Sequence, residues 1–412
     1  MVPDGWSIKK LGDVSVFVTS GSRGWAPYYA EDGDRFIRIT NLCRGQLALD
    51  LSDLKHVQLP DGSSEGQRTR LSSGDILISI TADLGLIGFI DEIPPEPTYI
   101  NQHIALVRPD RHQVDPKFLA YQLASKRQQD EIAKIRDSGA KAGLNLPAIR
   151  SLSVPLPSLL QQRTISQILT AWDHAVEAIE KLIRNSERQK IALTQQLLSS
   201  TGHLGSRGWE FRPLGDLADI YDGTHMTPDY KEEGVPFYSV EHVTRSDFSN
   251  TKFISRDVFE KENRRVRIEN GDVLMTRIGD IGTSKYIDWD VEASFYVSLA
   301  LIKPKASMDG HFLSYYIGTR AFQRELHHRT IHVAFPKKIN LGEIGECLVG
   351  VPPLDEQKRL ATILSTAEVE VAKLNRQLDL LKEEKLALMQ QLLTGKRRVK
   401  TVDTAAPVAA IG

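Results

Sequence analysis

Two stretches of the chain carry apolar residues at alternating steps of four and three positions, with polar and charged residues between them. The seam of the first stretch comprises Ile165, Leu169, Trp172, Val176, Ile179, Ile183, Leu193 and Leu197. The seam of the second comprises Leu360, Leu364, Val371, Leu374, Leu378, Leu381, Leu388 and Leu392. This spacing is typical of a coiled coil and predicts two long helices, each preceded by a pair of prolines.

A helix of about 40 residues is roughly 60 Å long, which is too long to pack entirely on one small globular module. We therefore expect the two helices to pack on each other. The alternative is that each amphipathic helix lies on a domain of its own.

The two helices belong to a longer internal repeat. The segment "ALTQQLL" that begins at Ala192 recurs as "ALMQQLL" at Ala387, an offset of 195 positions, and the match runs without a gap from 161–198 to 356–393. Upstream, "GWSIKKLGD" corresponds to "GWEFRPLGD", and the β-like run "GDILIS" corresponds to "GDVLMT". The chain therefore contains two copies of a unit that consists of a globular module followed by a long helix.

The predicted fold class is α+β (α/β-type), with two similar globular modules and a pseudo-twofold internal repeat. We place the modules at 1–157 and 204–352, the helices at 158–203 and 353–400, and a flexible tail at 401–412. If the equivalent helices form an antiparallel coiled coil, the modules are related by a twofold axis. Duplex DNA has local twofold axes of its own, which symmetric proteins use for recognition.

Composition and charge restrict the functional class. The chain has 412 residues, of which 41% are hydrophobic and 25% charged, as in ordinary globular proteins. Its net charge of −1 argues against a non-specific nucleic-acid binder but is compatible with a local base-reading surface. Cys43 and Cys347 are too few for a disulfide framework. The sequence shows no signal peptide and no membrane-spanning run, so we expect a cytoplasmic protein without membrane contact.

The order of module, helix, module and helix resembles the specificity (S) subunit of type I restriction–modification enzymes. The resemblance rests on the helix starts "LLQQRTISQIL" and "LDEQKRLATIL", on the helix ends "QQLLSS" and "QQLLTG", and on the "GW…LGD" opening of each module. It implies that each module is a target recognition domain that reads one half of a bipartite site in double-stranded DNA. The helices would set the spacing and dock two methyltransferase (M) subunits.

The same resemblance implies that the chain is not an enzyme and binds no cofactor. S-adenosylmethionine, ATP and Mg²⁺ are expected on the M subunits and the restriction (R) subunits of the complex. The sequence agrees, because it lacks a phosphate-binding Gly-rich loop and the Asn/Asp-Pro-Pro-aromatic motif of adenine methyltransferases. His328 and His332 are four positions apart, but no further ligands complete a site, so we predict no metal.

Base recognition requires polar side chains on loops that reach the groove edges. The candidates in the first module are Ser22, Arg23, Trp25, Arg38, Thr40, Asn41, Thr81 and Lys141. Those in the second module are Thr224, His225, Ser239, His242, Arg277, Lys337 and Lys338. Gly21 and Gly24 are expected to let the backbone approach the duplex.

Two less specific interpretations are also compatible with the sequence. Each candidate, taken alone, has the alternative of being an ordinary loop residue, and for Trp25 we favour a packing role over insertion into DNA. For the whole chain, the alternative is a non-DNA scaffold that presents two protein-binding modules on a coiled coil.

Overall fold

The computed structural model describes residues 3–60, 62, 66–93, 95–137, 144–198 and 209–400. The chain forms two compact units, Met1–Glu180 with Gln377–Gly412, and Lys181–Arg376. Each unit contains one globular module, the adjoining half of one long helix, and the distal half of the other.

The first unit contains ten strands among its described residues: β1 (Ser7–Lys10), β2 (Ser15–Ser20), β3 (Tyr29–Ala30), β4 (Asp34–Ile37), β5 (Lys55–Val57), β6 (Ile76–Ser79), β7 (Ile87–Phe89), β8 (Thr98–Ile100), β9 (Ile104–Pro109) and β10 (Ser153–Leu156). Its helices are α1 (Pro116–Ala124), α2 (Lys126–Asp137), α3 (Leu146–Ser151) and the long α4 (Leu159–Leu198), which continues into the second unit.

Its strands form a main antiparallel sheet of order β2-β9-β6-β7 and a second sheet of order β3-β5-β4-β8, in which β4 and β8 are parallel. β1 pairs with β10, and this pairing brings the beginning and the end of the module together. Strand β6 is buried along its whole length because α1 covers one face of the main sheet and the second sheet lies on the other side. Asp115 caps the N-terminus of α1, and its side chain accepts a hydrogen bond from the N–H of Phe118.

The second unit repeats this plan with the strands β11 (Glu210–Pro213), β12 (Ala218–Asp222), β13 (Val235–Tyr238), β14 (Lys252–Ile254), β15 (Val273–Thr276), β16 (Ser284–Tyr286), β17 (Ser294–Phe295), β18 (Leu299–Pro304) and β19 (Leu348–Val351). Its helices are α5 (Leu214–Leu217), α6 (Val240–Arg245), α7 (Arg256–Glu262), α8 (Gly310–Ile317), α9 (Arg320–Arg329), α10 (Leu341–Gly345) and the long α11 (Leu354–Leu393), which continues into the first unit.

The main sheet of the second unit has the order β12-β18-β15-β16, and the other two sheets have the orders β14-β13-β17 and β11-β19. These orders correspond to β2-β9-β6-β7, β5-β4-β8 and β1-β10 of the first unit, in which β3 is an additional strand of the second sheet. The internal repeat seen in the sequence is therefore a repeat of topology.

Helices α4 and α11 pack antiparallel, and the same packing occurs within each unit. In the first unit, Ile165 at the start of α4 shares a hydrophobic core with Leu393 at the end of α11. In the second unit, Leu198 at the end of α4 shares a core with Leu360 at the start of α11. Every residue of the predicted seam is buried or half-buried. The predicted fold, two α+β modules with long paired helices, is confirmed.

A buried glutamine fixes the start of each long helix to its module. Gln162 accepts a hydrogen bond from the backbone N–H of Asp115 at 2.9 Å and donates one to the carbonyl of Pro157 at 2.9 Å. Gln357 accepts the equivalent bond from Asp309 at 2.8 Å. These are the glutamines of the repeated helix-start motif, so the motif serves to join the helix to the module.

Within the described part of the chain, no helix is long and apolar enough to cross a membrane.

Candidate nucleic-acid interface

The loop after the first strand of each main sheet lies directly against the second sheet. The residues after Gly21 and Gly223 form isolated bridges, Ser22 with Asn101 and Thr224 with Tyr296. A Cβ atom on Gly21 would overlap the carbonyl oxygen of Asn101, and one on Gly223 would overlap the carbonyl of Phe295. We expected Gly21 to serve approach to DNA; it is buried, and its lack of a side chain instead serves contact within the module.

Two candidates of the first module are buried in this conformation. Trp25 is 4% exposed and packs with Phe36 and Tyr99, at ring-centroid distances of 4.7 and 5.4 Å, so its ring is not presented to a duplex. Asn41 is 1% exposed; its side chain accepts from the N–H of Arg38 and donates to a backbone carbonyl. Trp25 therefore has the packing role that we favoured, and the side chain of Asn41, a predicted base contact, instead binds the backbone of its own loop.

Two candidates of the second module are buried in a similar way. The Thr224 hydroxyl donates to the carboxylate of Glu262 at 2.7 Å. The ring of His242 accepts from the N–H of Ser239 at 2.8 Å on Nδ1, which leaves Nε2 to donate to the carbonyl of Asn250 at 3.3 Å. With these bonds made, neither side chain has a free donor directed to solvent.

Arg277 is a clamp between loops. Its side chain is buried, and its guanidinium donates to the carbonyl of Val297 at 2.8 Å and to that of Ile339 at 3.2 Å. Burial lowers the pKa of this guanidinium, since the charged form loses hydration. Arg277, a predicted base contact, thus makes structural contacts, one of which joins segments 62 positions apart.

Five candidates of the first module keep exposed or half-exposed positions. Arg23 and Thr40 are exposed. Arg38 is half-buried and paired with Asp53 at 2.6 Å, and Thr81 contacts a ring nitrogen of His103 at 2.8 Å. The fifth is half-buried Ser22, and Lys141 lies outside the described residues.

Four candidates of the second module lie at the surface: His225, half-buried Ser239, Lys337 and Lys338. The ring Nε2 of His225 lies 2.7 Å from Oδ2 of Asp222, and the guanidinium of Arg265 donates to Oδ1 of the same carboxylate at 2.5 Å. Burial by itself raises the pKa of Asp222, but the hydrogen bonds from Arg265 and His225 outweigh it and the net pKa is lowered. This carboxylate therefore stays charged and orients the two cationic or polar side chains at the surface.

Sequence reasoning missed two apolar residues at this surface, Val333 and Phe335, which are 97% and 104% exposed. The only sequence signal is an apolar triplet, "VAF", placed between polar residues without helical or strand periodicity.

No group of His, Cys, Asp and Glu residues suited to a metal ion occurs among the described residues. The histidines 327 and 332 lie close, with ring centroids 4.5 Å apart, and the Nε2 of His332 donates to the carbonyl of His327 at 2.8 Å.

Comparison with known proteins identifies the class of this architecture. The family model described as "Type I restriction modification DNA specificity domain" matches the chain twice, over residues 3–187 and 206–382. The chain belongs to this family. Its function is therefore DNA sequence specificity in a type I restriction–modification system, and as a specificity subunit it is not itself catalytic.

Individual relatives agree over nearly the whole length. The putative type I restriction enzyme MjaX specificity subunit of Methanocaldococcus jannaschii is 22% identical over 97% of this chain and 95% of its own length. The MjaVIII specificity subunit of the same organism is 23% identical over 98% and 95%, respectively. The crystal structure of the type I system S subunit from M. genitalium shares the fold, with a TM-score of 0.60, 15% identity, and coverage of 95% of this chain and 96% of that one.

The predicted resemblance and the predicted non-catalytic role are thus confirmed, and the scaffold alternative is not favoured. In general terms, the partners of such a chain are DNA and the modification and restriction subunits.

Proposed function

We propose that the two modules, 1–157 and 204–352, are target recognition domains that each read one half of a bipartite DNA site. The long helices, 158–203 and 353–400, set the distance between the half-sites and dock two M subunits. The M subunits bind S-adenosylmethionine, and the R subunits use ATP and Mg²⁺. The complex assembles in the cytoplasm, where the DNA lies.

The observation that carries this proposal is the combination of a repeated topology with different loops. The strand order, the helix-anchoring glutamines and the close glycine contacts recur in both units. At the loop that follows these glycines, the first module presents Arg23 and the second presents His225. Two modules with the same topology but different side chains in this loop are suited to bind two different half-sites.

The proposed contacts with DNA are the surface candidates described above. Arg23, Lys337 and Lys338 carry positive charge for phosphate or base edges, and His225 and Thr40 offer hydrogen bonds. Trp25, Asn41, Thr224, His242 and Arg277 support the loops from beneath.

The test is to express the chain with its M subunits in a host without adenine methylation and to map methylated adenines over the genome. We expect one bipartite motif. Replacing residues 1–155 with the first module of another family member should change one half of the motif and leave the other half and the spacer intact. Methylation without a split motif, or a change in both halves together, would contradict the proposal.

A further inference from the structure

The segment between α9 and α10 holds the most exposed large apolar side chains in the described part of the chain. Val333 and Phe335 are 97% and 104% exposed, whereas Ala334 between them is half-buried. An aromatic and a branched aliphatic side chain that stay exposed to water lack the stabilisation that burial would give them. Exposed apolar groups of this kind mark contact sites.

The segment is held in place from its base. The N–H of Ile331 donates to the carbonyl of Lys338 at 2.8 Å, and the N–H of Gly279 donates to the carbonyl of Lys337 at 2.8 Å. Lys338 also forms an isolated bridge with Ile278. The apolar tip, Val333–Phe335, is therefore presented by a backbone that is bonded to the loop after β15.

The segment that follows the apolar tip is cationic. Lys337 and Lys338 are exposed, and neither forms an ion pair with any described residue. By contrast, the neighbouring Arg329 is paired with both Glu325 and Glu343. An apolar group next to two exposed lysines matches a partner with a charged exterior and an apolar interior, which is the character of stacked bases between phosphates.

The apolar tip stands at the same end of the main sheet as the loop that follows β12. Arg277 joins the two loops. Its guanidinium donates to the carbonyl of Ile339, which follows Lys338, and to the carbonyl of Val297, whose N–H donates to the carbonyl of Thr224 at 3.0 Å. The base of the apolar tip and the loop that carries His225 are thus linked through Arg277 in the second module.

From these observations we infer that the side chains of Val333 and Phe335 form an apolar wedge, which packs against a base step of duplex DNA in the half-site read by the second module. Lys337 and Lys338 bind the phosphates beside that step. The inference rests on the proposed function of the module, and it assigns the wedge role to Phe335 where the sequence offered only Trp25.

The experiment uses the assembled complex of this chain with its M subunits and a duplex that carries the methylome-mapped site, with a shuffled duplex for comparison. We expect Phe335→Ser to weaken specific binding by about 10-fold or more, with little change on the shuffled duplex, because the lost interaction is apolar. Phe335→Leu should retain most of the affinity, since a leucine also serves as a wedge.

The lysines give a different signature. Lys337→Ala and Lys338→Ala should weaken binding on both duplexes, and each should reduce the slope of log affinity against log salt by roughly 0.9. Phe335→Ser should leave that slope unchanged. Leu348→Ser, which removes another partly exposed apolar side chain from β19, serves as the matched control and should bind as the parent does.

Two results would overturn the inference. One is full specific affinity in the Phe335→Ser complex. The other is failure of that variant to assemble with M subunits in the absence of DNA, measured by size-exclusion chromatography, because the apolar tip would then be a protein contact. A parent complex that itself binds without sequence selectivity would instead refute the proposed function, and the wedge with it.

Discussion

The hydroxyl of Tyr315 donates a hydrogen bond to the carboxylate of Glu368 at 2.8 Å, which joins the module helix α8 to the long helix α11. Glu368 in turn pairs with Lys190 of α4 at 3.1 Å. In the first unit, Tyr121 donates to Asp173, and Asp173 pairs with Lys385.

The same three-part contact thus occurs twice, at positions related by the internal repeat. Each copy connects a module to both long helices at once, so it fixes the orientation of the module on the helix pair.

The contact at Tyr315 can be tested by substitution. Burial raises the pKa of the Tyr315 hydroxyl and the adjacent carboxylate raises it further, so the hydroxyl stays protonated as a donor. We expect Tyr315→Phe to lower the free energy of unfolding of the second unit by about 1 kcal/mol, because the carboxylate is partly exposed and water replaces the donor in part. Chemical denaturation of the full chain measures this loss.

The matched control is Tyr221→Phe, because the hydroxyl of Tyr221 has no hydrogen bond to any described residue. This substitution should leave the free energy of unfolding nearly unchanged. In a double-mutant cycle with Lys190→Met, the two losses should be non-additive because both partners act on Glu368. Strict additivity would show that the three groups do not act as a unit.

Gln357 is predicted to be essential for anchoring α11. It is 0% exposed, accepts from the N–H of Asp309, and donates to the carbonyls of Ser307 and Pro352 at 3.1 and 2.9 Å. Gln357→Glu keeps the shape but removes both donors and adds a buried charge, so we expect a loss of about 3 kcal/mol in unfolding free energy. The same change at exposed Gln391 should cost less than about 0.5 kcal/mol. Equal effects at both sites would refute the anchoring role.

Gly223 is predicted to tolerate no side chain. A Cβ there overlaps the backbone of Phe295, so Gly223→Ala should either unfold the second module or displace the loop that carries His225. Gly342→Ala, where a Cβ meets nothing within 4 Å on helix α10, should be neutral or stabilising by about 0.5–1 kcal/mol. Thermal unfolding midpoints and hydrogen exchange at the loop measure the effects of both substitutions. An unchanged midpoint and unchanged exchange in Gly223→Ala would contradict the observed close contact.

Asp272 predicts a pH-dependent effect. Burial raises the pKa of this carboxyl, and its ion pair with Lys303 at 2.6 Å offsets the rise only in part. A carboxyl whose pKa is raised in the folded state binds its proton more tightly there than in the unfolded chain. Its contribution to stability therefore falls as the pH rises through the raised pKa.

In Lys303→Met the carboxyl loses its partner, and its pKa rises further. We expect a destabilisation of about 3 kcal/mol near pH 8. This loss should be smaller near pH 5, because a carboxyl with a raised pKa takes up its proton more readily as the pH falls. Lys305→Met, two positions away and 3.6 Å from exposed Asp219, should cost less than about 1 kcal/mol at either pH. Denaturation midpoints of the three proteins at both pH values provide the measurement, and a loss independent of pH would contradict the assignment to Asp272.

The candidate site was predicted less completely than the fold. Residues such as Asn41 and His242 have the chemistry of base readers and lie in the expected loops, yet their side chains turn inward to bind their own backbone. Composition and position along the chain contain no information about this direction, because it depends on which backbone donors the fold leaves unpaired nearby.

The sequence by itself determined the duplicated plan of this protein, since the heptad seam and the constant offset of 195 positions are local and periodic properties that survive without knowledge of contacts. Only the tertiary structure decided which loop residues face solvent. The side chain of Arg277 is buried because its guanidinium binds backbone carbonyls, one of them 62 positions away. Phe335 is exposed, and backbone hydrogen bonds hold the base of its loop. Such long-range pairings arise from the packing of whole sheets and have no signature in a short stretch of residues.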